Sequence, residues 1–557
     1  MLYGAFALLR LIQTGRDIAA LDIRDRPLVR LRMLDHWDNL DRTVERGYSG
    51  RSLWNWNQLP AVDSRMIDYA RANSSVGINA VVINNVNADA RILTAPYLAK
   101  IAALASAWHA YGIRLYLAAR FSAPIELGGL KTADPLDPRV KQWWAAKTDE
   151  IYRTIPDFGG FLVKANAEGQ PGPQAYGRSH ADGANMLATA LAPHGGTLIW
   201  RAFVYAGTDK DDRAEQAYDE FAPLDGKFAA NVIVQVKNGP VDFQPREPFH
   251  PLFGAMPRTQ LGLEVQLTRE YLGQRSGVVF LGPMWSETLR SHTFRPGARA
   301  QVRDSITAMA GVANAGSDRN WTGSQFDQAN WYAFGRLAWN PDSGPRAIAD
   351  EWVRMTWGND PRLDAPVVEL MLGSREAEVN AMTPLGLGHL MASDHHYGPG
   401  PWLHDQSEPM WNPTYYHRAD ARGIGFDRTA SGSNAVAQYA PPVARCFASL
   451  ACVPDNVLLW FHHVPWTYRM RSGRPLWSEL VARYDQGVRT VESMRDEWTR
   501  LAPLVDPQRH REVASGLDLQ SAEAHWWRDA SIAYWQSLNR LPLPRGHSAP
   551  TPRAFVV

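Results

Sequence analysis

The sequence predicts an α/β fold, a (β/α)8 TIM barrel followed by a mainly α-helical C-terminal region. Three observations carry this. From Pro27 to Trp285 short apolar runs alternate with stretches of helical periodicity, the pattern of parallel βα units. Eight strands can be found, enough to close a barrel. The first strand ends Met33-Leu34-Asp35-His36-Trp37-Asp38, without the Gly-x-Gly turn that marks an open doubly wound sheet.

In chain order, Tyr3–Gln13 reads as an amphipathic helix. The strand candidates are then Leu28–Leu34, Ile78–Asn84, Ile113–Ala119, Phe158–Ala165, Thr197–Val204, Asn231–Val236 and Leu261–Leu267. The eighth is either Gly277–Leu281 or Ala310–Ala315. Leu98–Tyr111 and Val140–Ile155 carry the 3.6-residue apolar spacing of barrel helices. Beyond the barrel, residues 346–383, 477–502 and 520–540 read as helices. Between them, 384–440 is irregular and rich in Gly, Pro, His and aromatics, as expected of a loop folded back over something. The expected division is thus a leading segment 1–26, a barrel 27–345 and a helical region 346–557, with a mobile tail from Pro542.

Composition narrows the function. Of 557 residues, 45% are hydrophobic and 21% charged, an ordinary globular balance with material for a large core. The net charge of +1, without long runs of one sign, argues against nucleic acid or an anionic membrane as the main partner. Apolar runs fall short of the roughly 20 residues a membrane span needs. Met1–Leu11 is apolar but short, interrupted by Arg10 and followed by no cleavage site, so a cytoplasmic protein is expected. The 22 tryptophans lean towards a partner with flat apolar faces, such as a sugar. Cys446 and Cys452 read as two unpaired structural thiols. No cofactor and no metal is expected: Asp394-His395-His396 and His462-His463 lack a converging third ligand.

A barrel gathers its chemistry at the C-terminal ends of its strands, and the polar residues fall there. Glu168 closes the fourth strand ahead of the breakers Gly169, Pro171, Gly172 and Pro173, with Lys164 and Asn166 on its face if strand alternation continues. Arg201 lies in the fifth strand, Lys237 and Asp242 follow the sixth, and Glu264 lies on the seventh. Three carboxylates at one mouth supply what glycoside hydrolysis needs, an acid for the leaving oxygen and a base for water. For any one of them, a plain ion pair is the bland account. The cations Lys164, Arg201 and Lys237 either neutralise these acids or grip an anionic substrate, Arg201 in bidentate fashion.

Seven runs then carry a family resemblance: HWDNLD at His36–Asp41, ERGYSGRSLW at Glu45–Trp54, INNVNAD at Ile83–Asp89, Gly160–Pro173, VKNGPVDFQPREP at Val236–Pro248, Glu264–Gly273 and Trp411–Thr429. On these the chain resembles the bacterial and fungal α-glucuronidases of glycoside hydrolase family 67. The resemblance implies a metal-free, inverting release of glucuronic acid, or its 4-O-methyl ether, from the α-1,2 link to the terminal xylose of xylooligosaccharides. It implies that Glu168 is the general acid and that Asp242 and Glu264 activate water. Lys164, Arg201 and Lys237 would hold the uronic acid, Trp37 and Val86 line its pocket, and Trp411 lies towards the xylose. Inversion sets the acid roughly 6.5–9.5 Å from the base carboxylates. Family members also carry a β-rich domain ahead of the barrel, so Tyr3–Gln13 would be its last helix, and they tend to pair through the C-terminal region, making a homodimer an expectation. A retaining barrel glycosidase and an inactive sugar-binding remnant are the competing readings.

Overall fold

The computed structural model describes residues 2–204, 212–274, 277–295, 300–392 and 396–547. Asp394 and His395 of the expected histidine cluster, and residues 548–557 of the expected tail, lie outside these.

Eight parallel strands close a barrel in sequence order, β1 (Leu31–Asp35), β2 (Ala80–Ile83), β3 (Arg114–Ala118), β4 (Gly160–Val163), β5 (Thr197–Arg201), β6 (Val232–Lys237), β7 (Leu261–Gln266) and β8 (Ile306–Val312), with β8 paired back on β1. Nearly every strand position is buried, because helices cover the outside and side chains fill the inside. That is why the strands read as continuous apolar runs rather than alternating ones.

The eighth strand settles on the second of the two candidates, starting earlier at Ile306. The rejected run, Gly277–Leu281, is apolar and buried for a different reason. Three of its amides donate to side chains: Val278 N to Gln520 Oε1 (2.9 Å), Phe280 N to Ser374 Oγ (2.8 Å) and Leu281 N to Asn330 Oδ1 (2.8 Å). Side-chain acceptors there replace a strand ladder, and the chain passes into the helix Gly282–Arg290.

Helix starts follow local chemistry. Asp63, Asp137, Ser324, Asp360 and Asp506 each accept a backbone N–H of the first helical turn. Beyond the barrel, Pro361–Met382, Leu476–Arg500 and Pro507–Asn539 pack together as a helical bundle. Gly487 permits this closeness, since a Cβ there would run into the backbone of Ala381. The stretch 384–440 contains only short elements and folds back over the C-terminal ends of the strands. The tryptophans largely serve the core: Trp54, Trp108, Trp144, Trp200, Trp285, Trp498 and Trp535 are fully buried.

The expectation of two unpaired thiols is corrected. Cys446 lies in the last turn of the helix Pro441–Phe447, and the turn that follows returns Cys452 to a Cα–Cα distance of 4.9 Å, where the two form a disulfide. The loop it closes is short, with a sequence separation of 6. Replacing both cysteines by serine should therefore cost only about 2 kcal/mol, read as a lower Tm; an unchanged Tm would show that neighbouring packing alone holds the loop.

Candidate active site

A cavity of about 270 Å³ opens at the C-terminal ends of the barrel strands. Loops after β1, β2, β4, β5, β6 and β7 line it, and the 384–440 stretch supplies His389, Met391, His396, Gln406, Trp411 and Pro413.

Asp35, Arg201 and Glu264 come from β1, β5 and β7, alternate strands of the kind that jointly fill one layer of a barrel interior. Arg201 grips Glu264 with two nitrogens, Nη2 to Oε1 at 2.7 Å and Nε to Oε2 at 3.2 Å, and both side chains are buried. Arg201 also reaches the cavity; Glu264 is not part of its lining. The expected third acid at the mouth is therefore Arg201's counter-ion beneath the floor. A different carboxylate lines the cavity, Glu270, four residues past the end of β7.

The three expected cations do converge. Lys237 Nζ, Lys164 Nζ and the Arg201 guanidinium carbon lie 3.9, 5.1 and 5.2 Å from the centre of one ring, Phe203. An aromatic face attracts cations without neutralising them, so Phe203 gathers the three in one place, each also paired with a carboxylate, Glu168, Glu264 or Asp242. Arg201 also lies 5.6 Å from the Trp37 ring. Burial lowers the pKa of both lysines, each partly restored by its own carboxylate partner.

Lys164 follows β4, pairs with Glu168 and donates to Asn87 Oδ1 at 2.8 Å. Strand alternation is not what joins Lys164 and Glu168. The strand ends at Val163, and Asn166 and Glu168 take left-handed φ of 57° and 47°. Such backbone in a non-glycine residue is strained and collects at functional sites. Asn85 and Asn87 both donate to Glu45 Oε2, at 2.7 and 3.0 Å, holding that acid at the rim.

Asp242 sits in a loop organised around Glu247, which accepts the backbone N–H groups of Val241, Asp242 and Gln244 at 2.8, 3.0 and 2.9 Å. Lys237 pairs with Asp242 Oδ1; Arg213 (3.4 Å) and the Tyr271 hydroxyl (2.7 Å) reach Oδ2. Burial alone would raise this carboxyl, but the Lys237 and Arg213 charges overcome it and hold Asp242 far below the usual range. Burial also keeps Tyr271 well above its ordinary pKa, a neutral donor, and His389 well below its own, a neutral ring. Glu270 accepts from Arg46 (3.1 Å), His396 Nδ1 (2.8 Å) and Gln266 Nε2 (2.6 Å).

Trp37 and Val86 are buried in the wall, and Trp411, 44% exposed, stands at the rim. Sequence reasoning missed Glu45, Arg46, Phe203, Glu270, Tyr271 and the two loop histidines. For Glu270 a signal existed: a residue beyond a strand's end reaches the mouth, whereas Glu264, two residues inside β7, belongs to the interior layer. Among the described residues no group of three or more His, Cys, Asp or Glu could hold a metal ion, and no helix is long and apolar enough to cross a membrane.

Beneath Arg201, burial and then the Glu264 charge lift the Asp35 carboxyl from 3.8 to about 7. A raised carboxyl favours the folded state fully below its unfolded value near 3.8, and that advantage is lost as the pH climbs through 7. Asp35→Asn should accordingly raise Tm more at pH 8 than at pH 5; the same increment at both would show that Asp35 does not carry this titration.

Two family matches cover most of the chain: residues 11–321 match the glycosyl hydrolase family 67 middle domain, and 322–548 the glycosyl hydrolase family 67 C-terminus. The alpha-glucuronidase of Hypocrea jecorina is 40% identical over 563 aligned residues, covering 97% of this chain and 66% of that protein. Alpha-glucuronidase A of Emericella nidulans is 39% identical with the same coverage. The chain thus spans about 66% of the length of these relatives. Among solved structures, a GH138 enzyme targeting pectin rhamnogalacturonan II superposes with a TM-score of 0.55 at 12% identity, over 97% of this chain and 62% of its own; that likeness is one of fold alone. The chain belongs to glycosyl hydrolase family 67.

Proposed function

We propose that the protein is an inverting α-glucuronidase that releases glucuronic acid, or its 4-O-methyl ether, from the α-1,2 link to the terminal xylose of xylooligosaccharides. One observation carries the reading: acids and a cation cluster share one cavity, with Glu168, Asp242 and Glu270 beside Lys164, Arg201 and Lys237. With Glu45 and Arg46, four acidic and four basic side chains line it. The names of the fungal relatives favour the same sugar.

In this mechanism the substrate carboxylate lies against Lys164, Arg201 and Lys237. Glu168 gives its proton to the glycosidic oxygen, the C1–O bond breaks with its electron pair passing to that oxygen, and the xylose end leaves as an alcohol. Water attacks C1 from the opposite face and loses a proton to the Asp242–Glu270 pair, so the sugar departs with its anomeric configuration inverted. The second water-activating carboxylate is Glu270 rather than Glu264, because Glu270 lines the cavity and Glu264 is committed to Arg201. Trp37 and Val86 wall the uronic acid, and Trp411 offers a face to xylose. The Cys446–Cys452 bond favours an oxidising compartment over the cytosol expected from the N-terminal sequence.

NMR of the first sugar released from aldouronic acid oligomers should show the β anomer; an initial α anomer would mean retention. Glu168→Ala should slow substrates with poor leaving groups most, and equal loss across leaving groups would contradict its role as acid. Glu270→Gln should cost about 10²–10⁴ in kcat, whereas Glu264→Gln should act mainly on KM through Arg201. The reverse pattern would restore Glu264 as the base.

A further inference from the structure

We propose that His396 is the positioning residue that holds Glu270 and Asp242 as one water-activating unit. The proposal rests on the reading that these two carboxylates activate water. Nδ1 of His396 lies 2.8 Å from Glu270 Oε1. A carboxylate can only accept, so this nitrogen carries the hydrogen. The same ring stacks on Tyr271, with centroids 4.6 Å apart and planes 26° from parallel, and the Tyr271 hydroxyl donates to Asp242 Oδ2 at 2.7 Å. His396 thus touches both arms of the pair, one by a hydrogen bond and the other through the ring that carries the Asp242 donor.

Glu270 and Tyr271 are consecutive, and Arg269 fixes them from behind. It ion-pairs with buried Asp327 at 2.6 Å, its Nη1 donates to Gly277 O at 3.1 Å, and its backbone N–H donates to the Tyr48 hydroxyl at 2.6 Å. Gln266 supports Glu270 from inside the barrel and Arg46 from the rim. His396 comes from the C-terminal region and supplies the front of this clamp. Its backbone is left-handed, φ 54°, a conformation asparagine tolerates better than most residues.

The test is steady-state kinetics on aryl glucuronides and aldouronic acids with His396→Ala, His396→Asn and Tyr271→Phe. H396A should lower kcat about 100-fold, the scale of a 1 Å misplacement, with KM little changed and equal loss on good and poor leaving groups, because proton delivery by Glu168 is untouched. H396N should recover about tenfold of that loss, its side-chain amide standing where Nδ1 stood. Y271F should also lower kcat, and the double variant should be no worse than the poorer single, as for residues acting as a unit. A raised KM at normal kcat, a loss confined to poor leaving groups, or losses that multiply would each overturn the proposal. Should H396A fail to fold, Y271F decides alone, and a wild-type kcat there rejects the clamp. Glu270→Gln separates the levels: full activity in E270Q removes the underlying mechanism, whereas an inactive E270Q beside a wild-type H396A removes only the role of His396.

Discussion

The site depends on one buried ion pair, Arg201 with Glu264. A guanidinium at the end of an interior strand has lost its water, and only a well-placed counter-charge makes that tolerable. Glu264 meets two of its nitrogens, and Asp35 adds a titratable carboxyl in the same layer. The barrel's top interior layer is thus ionic where a purely structural barrel would be aliphatic. Arg201 gains a fixed position from this, and a fixed cation recognises an anion without first having to order itself. Lys164 and Lys237 follow the same logic, each tied to a carboxylate and resting against Phe203.

The C-terminal region helps to build the candidate site. Asp212 and Arg428 form a buried pair, 2.7 Å from Nε to Oδ2, that pins the start of the helix Arg213–Phe221 and with it Arg213 beside Asp242. Arg375 donates to Pro245 O at 3.1 Å, and Gln244 Oε1 accepts from His389 N at 2.7 Å. The loop presenting Asp242 is therefore held by the helical region on two sides. Barrel and helices each supply groups that the other leaves incomplete.

Much of this was legible in the sequence. Parallel strands buried on both faces leave uninterrupted apolar runs, so seven of the eight were found within a few residues of their ends. Gly277–Leu281 misled because it is equally apolar and buried, and nothing local reveals that Gln520, Ser374 and Asn330 take its amides. Lys164, Glu168, Arg201, Lys237 and Asp242, which line one cavity, were singled out because charge at a strand's end needs a reason. Glu264 satisfied the same criterion for another cause, serving Arg201. His396 and Trp411 illustrate the limit in opposite ways: both arrive from a long loop whose path no periodicity encodes, and Trp411 was found only through the family motif. The thiols of Cys446 and Cys452 were misread because pairing depends on a turn that spacing alone does not dictate.

The cation cluster around Phe203 has a consequence for turnover. In the proposed reaction the bond cut is at C1 and the substrate's carboxylate is unchanged, so the grip that draws the acid in would be undiminished afterwards. On that reading the neutral xylose fragment leaves the rim first, and the uronate, still held by the cluster, leaves last and competes for the vacated pocket.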